Sequence, residues 1–308
     1  MKLAAIGECM LELSTSDQAL YTLGFGGDTL NTAIYLARNG GDVDYVTALG
    51  DDAFSTQMIG HWENEGVGTA LVMRKPNSLP GLYMIQTDHS GERSFSYWRQ
   101  QAPAKTLLED WPDILKELQD YDYIYLSGIT LSLYSDTARE ELWRFLTQYR
   151  HHGGKVVFDI NYRPASWPEH DKALHVFEQM IQLTDVALPS FDDEKLLYGS
   201  HTIEQCLARY IAAGAMEIVI KDGSNGCLLY SNGQSTHITV PLKITPLDTT
   251  AAGDSFNGAY LAARLQQATP IDAVKSGQSC AALVIQHRGA IIPRHLMPTK
   301  TSANSSTR

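Results

Sequence analysis

Short apolar runs alternate with longer amphipathic stretches along most of the chain. The apolar runs, several of them rich in β-branched residues, predict buried strands at 3–7, 43–50, 121–128, 155–161, 185–190 and 217–223. Apolar residues at helical spacing predict helices around 28–39, 53–65, 136–152, 171–183 and 203–213, with two closing helices at 252–267 and 270–287. Strands separated by helices are typical of parallel crossover connections. We therefore predict an α/β fold with a mostly parallel central sheet covered by helices on both faces.

The segment 78–104 departs from this alternation. Two stretches of alternating polarity flank the turn-like sequence DHSGE, which predicts a β-hairpin rather than another crossover unit. Together with residues 11–26 the hairpin would form a small sheet beside the main domain, and such an insertion is a candidate lid. We expect one domain over residues 1–297 and a disordered polar tail over 298–308.

The charge and the cysteines narrow the range of partners. The formal net charge is −11, so the summed field repels phosphate backbones and anionic membranes, and we expect neither nucleic acid nor a membrane as a partner. The four cysteines lack metal-ligand spacing, which indicates reduced, buried thiols. MKLAAIGECM lacks the apolar run of a signal peptide, and no stretch of ~18 apolar residues occurs, so we expect a cytoplasmic enzyme.

Three common catalytic or nucleotide-binding patterns are missing. The first strand ends in GECM rather than in the Gly-x-Gly-x-x-Gly of dinucleotide folds, and HHGGKVV lacks the spacing and the Ser or Thr of a P-loop. Around Ser255 the second glycine falls one place too late for a nucleophile elbow. These absences count against a dehydrogenase, a P-loop ATPase and a serine hydrolase.

The stretch DTTAAGDSF, residues 248–256, places capping residue types, small residues and a carboxylate where a helix begins. A helix that starts near Ala252 presents free backbone N–H groups and the positive end of its dipole to a developing anion, and small residues let a phosphate approach closely. Asp254 is then either a first-turn acid that stabilises the helix or the base of a phosphoryl-transfer enzyme.

A second stretch, GFGGDTLNTA, places glycines and Asp28 before Asn31 at the start of an amphipathic helix. One interpretation is an ordinary glycine turn with a helix N-cap. The other is that the glycine backbone, Asp28 and Asn31 hydrogen-bond a polyhydroxylated ligand, which requires several donors and acceptors in fixed positions.

These two stretches, in this order, resemble the paired motifs of the PfkB (ribokinase-like) carbohydrate kinase family. GGDTLNTA is similar to the family's N-terminal sugar motif, and DTTAAGDSF is similar to its C-terminal Asp-Thr-x-Gly-Ala-Gly-Asp motif. The chain departs from the family at Ala251, where glycine is usual. Alanine still permits close approach of the backbone if residue 251 needs no positive φ.

The resemblance runs from Gly7 to Pro293 and becomes sharper in GECMLELS, LPGLYMIQTD, GERSFSYWR, YLSGI, DINYRP and IQHRGAIIPR. These stretches resemble the family members that phosphorylate 2-keto-3-deoxygluconate. The resemblance implies a ribokinase-like three-layer α/β sandwich with a small β-sheet lid. It also implies transfer of a phosphoryl group from ATP, with Mg²⁺, to the terminal 6-hydroxyl of this sugar acid.

The resemblance also assigns roles to residues. Asp254 is the base that accepts the hydroxyl proton, while Ala252 and Gly253, with the Asp254 amide, form an anion hole next to Ala251. Because Asp254 lies near a helix N-terminus, we expect it to be a weak base, which a loose transition state tolerates. The implied sugar contacts are Gly27, Asp28 and Asn31 at the base of the pocket, Tyr83 and Tyr97 from the lid, and Arg99 and Arg163 for the carboxylate.

The nucleotide contacts implied by the resemblance are Ser190, Lys221, Gly223 and Gly226, together with Ala252, Gly253 and the segment 281–286 at the adenine. PSFDDE stands at the place of the family's Asn-x-x-Glu motif. Ser190 replaces its Asn, and Asp193 takes the place of its Glu as an organiser of Mg²⁺ through water. Asp248 and Thr250 lie where many family members bind a monovalent cation, for which K⁺ is the candidate.

Three alternatives stay open at this point. The substrate could be another sugar, such as fructose, ribose or a related sugar acid. The chain could also be a non-catalytic sensor that binds a sugar or a nucleotide on the same fold. Finally, the aromatic run of Phe95, Tyr97 and Trp98 could form an interface with a second copy rather than close over the substrate.

Overall fold

Strands and helices alternate along most of the chain in the computed structural model, which describes residues 1–15, 20–87, 93–199, 202–241 and 243–298. The strands are β1 Lys2–Ile6, β2 Met10–Thr15, β3 Tyr21–Gly26, β4 Asp42–Gly50, β5 Val72–Lys75, β6 Leu82–Thr87, β7 Arg93–Trp98, β8 Tyr123–Ser127, β9 Lys155–Asp159, β10 Val186–Ala187, β11 Glu217–Lys221, β12 Cys227–Ser231 and β13 Gln234–Ile238. The α-helices are α1 Asp28–Arg38, α2 Ala53–Asn64, α3 Leu107–Asp110, α4 Ile114–Glu117, α5 Gly128–Leu133, α6 Asp136–His151, α7 His170–Gln182, α8 Phe191–Tyr198, α9 Ile203–Ala212, α10 Ala252–Leu265 and α11 Pro270–Val284.

The central sheet has nine strands in the order β13-β12-β11-β10-β9-β8-β1-β4-β5. Neighbouring strands from β11 to β5 are parallel, while β12 and β13 continue the sheet in antiparallel pairs. The predicted mostly parallel sheet is therefore confirmed. Because the strands that run parallel all end at the same edge, the loops that follow them meet there, which is where open α/β sheets bind ligands.

Helices cover both faces of this sheet. In β1, Leu3 and Ala5 pack into one core with Leu30 of α1, whereas Ala4 and Ile6 pack into a second core on the other face. The first core also takes in α10 and α11, and the second takes in α6 and α7. This alternation with period two is what a strand buried on both faces requires, and it gives the predicted three layers.

The segment 78–104 folds as the predicted hairpin. Strands β6 and β7 are antiparallel, and β6 also pairs with β2, giving a separate four-stranded sheet in the order β3-β2-β6-β7. In its register Glu12 lies opposite Tyr83, and Tyr83 lies opposite Tyr97. The turn sequence DHSGE, residues 88–92, lies outside the described residues.

The elements that the apolar pattern does not predict are short or at an edge. Helices α3 and α4 have four residues each, too few to show a helical period, and β5 and β13 are the edge strands of the central sheet. Of the predicted tail, 298–308, only the first residue belongs to the part of the chain that the structure describes. Within that part, no helix combines the length and the apolar character needed to span a lipid bilayer.

Candidate active site

A cavity of about 430 Å³ lies where the ends of the central strands meet the start of α10 and the small sheet. It is lined by residues from both quoted motifs and from the hairpin. Of the predicted site residues, it brings together Gly27, Asp28, Asn31, Tyr83, Tyr97, Arg163, Ser190, Asp193, Lys221, Thr250, Ala251, Ala252, Gly253 and Asp254. Arg99, Gly223, Gly226 and Asp248 are not among its lining residues.

Asp254 joins the two motifs. It lies in the first turn of α10, and its Oδ2 accepts a hydrogen bond from Nδ2 of Asn31 at 2.9 Å. Asn31 is buried in α1, which packs against α10. The carboxylate therefore has a fixed position at the cavity, set by a contact between residues 223 positions apart.

The proton affinity of Asp254 is higher than its place at a helix N-terminus predicts. The pKa of this carboxyl is raised from 3.8 to about 8, chiefly by burial and also by the nearby charges of Asp28 and Asp159, against lowering contributions from Asn31 and Lys221. The expectation of a weak base is therefore wrong. Desolvation and two neighbouring carboxylates outweigh the helix terminus, since each disfavours the charged form.

The backbone of residue 251 is left-handed. Ala251, the N-cap of α10, has φ 58° and ψ 20°. Alanine would replace glycine without strain only if residue 251 needed no positive φ, and this condition is not met. The amide of Ala252 donates to the carbonyl of Thr249 at 3.2 Å, which removes it from the predicted anion hole. The amides of Gly253 and Asp254 have no acceptor among the described residues and remain available to an anion.

The bottom of the cavity is formed by tightly packed backbone at Gly27 and by the hydrogen-bonded side chain of Asp28. Gly27 is extended, and a methyl group there would lie 2.2 Å from the carbonyl oxygen of Glu8, so the position excludes larger residues. Asp28 accepts a hydrogen bond from Nδ2 of Asn161 at 2.7 Å. Burial raises the pKa of Asp28, against the lowering effect of its hydrogen bonds with Ser127 and Asn161.

Aromatic side chains of the small sheet line another part of the cavity. The rings of Tyr83 and Tyr97 lie 6.1 Å apart between centroids, and Phe95 stacks against Tyr97. The Tyr83 hydroxyl donates to Glu12, which lies beside it on β2. Burial and this carboxylate raise the pKa of Tyr83, so the hydroxyl stays protonated and donates to Glu12.

The two predicted carboxylate partners have different surroundings. Arg163 lines the cavity and donates from Nη1 to Oδ1 of Asp193 at 2.9 Å. Arg99 instead forms an ion pair with the buried carboxylate of Glu8. The structure thus does not place Arg99 in the cavity, because a buried Glu8 requires a cationic partner of its own.

Lys221 lies beside the start of α10. Its Nζ donates to Asn257 at 3.0 Å and to Asp159 at 3.3 Å, and it would lie 3.6 Å from a methyl group at Gly253. Asn257 also donates to Asp159 at 2.7 Å. The ammonium group of Lys221 is therefore held next to the free amides of Gly253 and Asp254, where a negatively charged group would bind.

Two predicted glycines of the nucleotide site form a turn. Gly223 and Gly226 lie between β11 and β12 with φ of 50° and 101°, and a methyl group at residue 226 would lie 2.2 Å from the carbonyl oxygen of Ile238. The positive φ angles of this turn account for glycine at both positions. Their contact with a nucleotide stays a prediction.

Asp248 connects the start of the motif to a later loop. Its Oδ1 accepts from the amide and the hydroxyl of Thr250, and its Oδ2 accepts from the amide of Gly289 at 2.9 Å.

No group of three or more His, Cys, Asp or Glu residues suited to a metal ion occurs in the described ranges. The K⁺ site at Asp248 and Thr250 stays a prediction.

Asp159, Asn161 and Asn257 were not predicted as site residues. Asp159 is the last residue of β9 and Asn161 lies just after it. The sequence did carry a signal for both, since DIN ends an apolar run at the carboxyl end of a parallel strand. Asp159 is buried, and its Oδ1 has no hydrogen-bond partner in the described part of the chain. Asn257 gave no such signal, because its spacing in α10 is that of a core position.

A comparison with protein families decides the assignment that the geometry suggests. The model of the pfkB family carbohydrate kinases matches residues 1–296. The chain belongs to this family. The pfkB chain is 48% identical to a 2-dehydro-3-deoxygluconokinase of Escherichia coli (strain K12), over 96% of this chain and 99% of the relative. It is 46% identical to a 2-dehydro-3-deoxygluconokinase of Dickeya dadantii (strain 3937), over 96% and 98% of the two chains.

Solved structures share the pfkB fold at lower identity. The aminoimidazole riboside kinase of Salmonella enterica, complexed with aminoimidazole riboside and an ATP analog, matches with a TM-score of 0.81 at 23% identity, over 97% of this chain and 96% of that one. This match confirms the ribokinase-like architecture of a large and a small sheet.

Proposed function

We propose that this pfkB-family protein transfers a phosphoryl group from ATP to the 6-hydroxyl of 2-keto-3-deoxy-D-gluconate, also called 2-dehydro-3-deoxygluconate, and forms the 6-phosphate. The observation that carries this proposal is identity of 46–48% to 2-dehydro-3-deoxygluconokinases over nearly the whole length of both chains. The cavity supports it, because a carboxylate, free helix amides and a lysine converge there.

Asp254 is the proposed base. Its carboxylate accepts the proton of the 6-hydroxyl as the oxygen attacks the γ-phosphorus in line with the departing ADP. The hydrogen bond from Asn31 fixes the carboxylate for this step. A pKa of about 8 makes Asp254 a stronger acceptor than an ordinary carboxylate.

The start of α10 and Lys221 are the proposed stabilisers of the transferred group. The amides of Gly253 and Asp254 point from a helix N-terminus, and Lys221 lies beside them. Fixed donors of this kind stabilise the charge of a loose phosphoryl-transfer transition state without having to reorganise.

Mg²⁺, when bound with ATP, would neutralise the charge on the nucleotide phosphates. The buried and unpartnered Oδ1 of Asp159 suits a water molecule of a hydrated Mg²⁺ ion, since this ion keeps several waters and prefers oxygen ligands. Asp159 is therefore the residue that would hold the hydrated ion. The residues that would hold K⁺, Asp248 and Thr250, lie in the loop that leads into α10.

Arg163 is the proposed partner of the substrate carboxylate. The guanidinium fork matches a carboxylate in shape and charge, and Gly27, Asp28 and Asn31 offer donors and acceptors for hydroxyl groups. A kinase for a neutral sugar would not need this cation. That difference favours a sugar acid over the runner-up, a kinase for fructose or ribose.

Substitution of Asp254 by asparagine tests the proposed base. Asp254→Asn keeps the shape of the side chain but removes the proton acceptor, so we expect turnover to fall by roughly 10² or more with the fold and sugar binding retained. Steady-state ADP release and calorimetric sugar binding measure the two properties. The matched control is Asp272→Asn, in the first turn of α11, which should change turnover by less than about twofold. Unchanged turnover in Asp254→Asn would contradict the role of Asp254 as the base.

Exposed apolar residues on the small sheet support a second proposal, that two copies of the protein associate through this sheet. Trp98, Tyr21 and Leu23 are each about half exposed on it. Exposed aromatic and aliphatic residues on a small sheet are typical of protein interfaces. Sedimentation of the intact protein measures this association.

ATP as the donor favours the cytoplasm as the place of action, which stays a prediction.

A further inference from the structure

The cavity contains more acidic than basic side chains. Its described lining includes Arg163 and Lys221 as cations, against Asp28, Asp159, Asp193 and Asp254. Lys221 already contacts Asp159 and Asn257 and lies at the start of α10. A carboxylate on the substrate therefore depends on Arg163 for charge neutralisation, and the geometry of this one residue decides how well the anion binds.

The guanidinium of Arg163 is held at one of its three nitrogens. Nη1 donates to the carbonyl oxygen of Tyr162 at 2.8 Å and to Oδ1 of Asp193 at 2.9 Å. Nε and Nη2 have no partner in the described ranges of the chain. Since Nε and Nη2 form one of the two forks of a guanidinium, this edge is available to bind both oxygens of a ligand carboxylate.

The contact with Asp193 restricts a side chain that would otherwise be mobile. The side chain of Arg163 is 51% exposed, whereas that of Asp193 is 14% exposed and is fixed in the first turn of α8. An exposed arginine without this contact would sample several rotamers and lose that freedom on binding the ligand. Holding it beforehand lowers the entropic cost of binding.

We propose that Asp193 is a positioning residue for substrate recognition, which holds Nη1 of Arg163 so that the Nε and Nη2 edge receives the carboxylate of the sugar acid. This inference rests on the proposed function and replaces the expected role of Asp193 as an organiser of Mg²⁺. Oδ1 of Asp193 already accepts a hydrogen bond from the guanidinium of Arg163. Asp159 has the unpartnered oxygen instead.

The two roles predict different kinetic effects. If Asp193 acts through Arg163, Asp193→Asn should raise the KM for 2-keto-3-deoxygluconate about threefold to tenfold. The kcat and the Mg²⁺ concentration for half-maximal rate should stay within about twofold, the scale of a neutral substitution. Asp192→Asn, at the neighbouring exposed position of α8, is the matched control and should leave all three unchanged.

A double-mutant cycle separates positioning from a general structural effect. Arg163→Ala alone should raise the KM for the sugar acid, and adding Asp193→Asn to it should have no further effect, because the residue that Asp193 positions is gone. Circular dichroism of each variant checks that the fold is intact. Equal effects of Asp193→Asn in the presence and absence of Arg163 would overturn the inference.

The remaining outcomes are also decisive. A raised Mg²⁺ requirement in Asp193→Asn with an unchanged KM for the sugar acid would show that Asp193 acts on the metal, and would overturn the inference while leaving the proposed function intact. No turnover of any sugar acid by the unsubstituted protein would overturn both together.

Discussion

The proton affinity of Asp254 is the residue-scale property that follows least from local sequence. The motif predicts the carboxylate and its helix, but the pKa depends on burial and on Asp28 and Asp159, which come from other parts of the chain. Arg99 shows the same limit, because its partner Glu8 lies in the loop after β1. A residue's type and motif could be predicted, whereas its charged neighbours required the fold.

A pH profile tests this account of Asp254. Only the ionised carboxylate accepts a proton, and its pKa is raised, so we expect kcat/KM to rise with pH and to level off above about 8. Asp28→Asn removes a charge that raises this pKa and should move the rising limb to lower pH, even if the rate itself falls. A profile that is flat down to pH 5 would contradict a raised pKa.

At the scale of elements, the start of α10 is where the sequence prediction needs a correction. The helix itself was predicted to start at residue 252, and it does. The left-handed conformation of Ala251 was not, since a local pattern does not show the φ of a single N-cap residue. Short elements such as α3 and β5 were missed for a related reason, because four residues carry too little periodicity.

Substitution of Ala251 by glycine tests this conformation. Glycine adopts positive φ without steric cost, so Ala251→Gly should raise the free energy of unfolding by about 0.5–1 kcal/mol after the greater entropy of the unfolded chain is counted. The matched control is Ala252→Gly, at a position of ordinary helical φ, which should lower it by about 0.5 kcal/mol. Urea unfolding measures both, and destabilisation by Ala251→Gly would contradict a strained backbone.

At the scale of the whole molecule, the site is assembled from separated parts. The carboxyl ends of β9 and β11, the starts of α1 and α10, and the small sheet all contribute to one cavity. The order of strands and helices predicted the central sheet, and the alternating hairpin predicted the small one. Contacts between separated segments, such as that of Tyr83 with Glu12 within the small sheet, depend on the register in which β2 pairs with β6, which no local pattern specifies.

The most direct test of the central claim is ADP release with Mg²⁺-ATP across a panel of acceptors. The panel contains 2-keto-3-deoxygluconate, 2-keto-3-deoxygalactonate, fructose, ribose, gluconate and adenosine. We expect a kcat/KM for 2-keto-3-deoxygluconate that exceeds those of the neutral sugars by at least about tenfold, since one charge-assisted bidentate contact separates them. Preference for fructose, ribose or adenosine would contradict the account of the substrate, and no turnover with any acceptor would contradict the kinase itself.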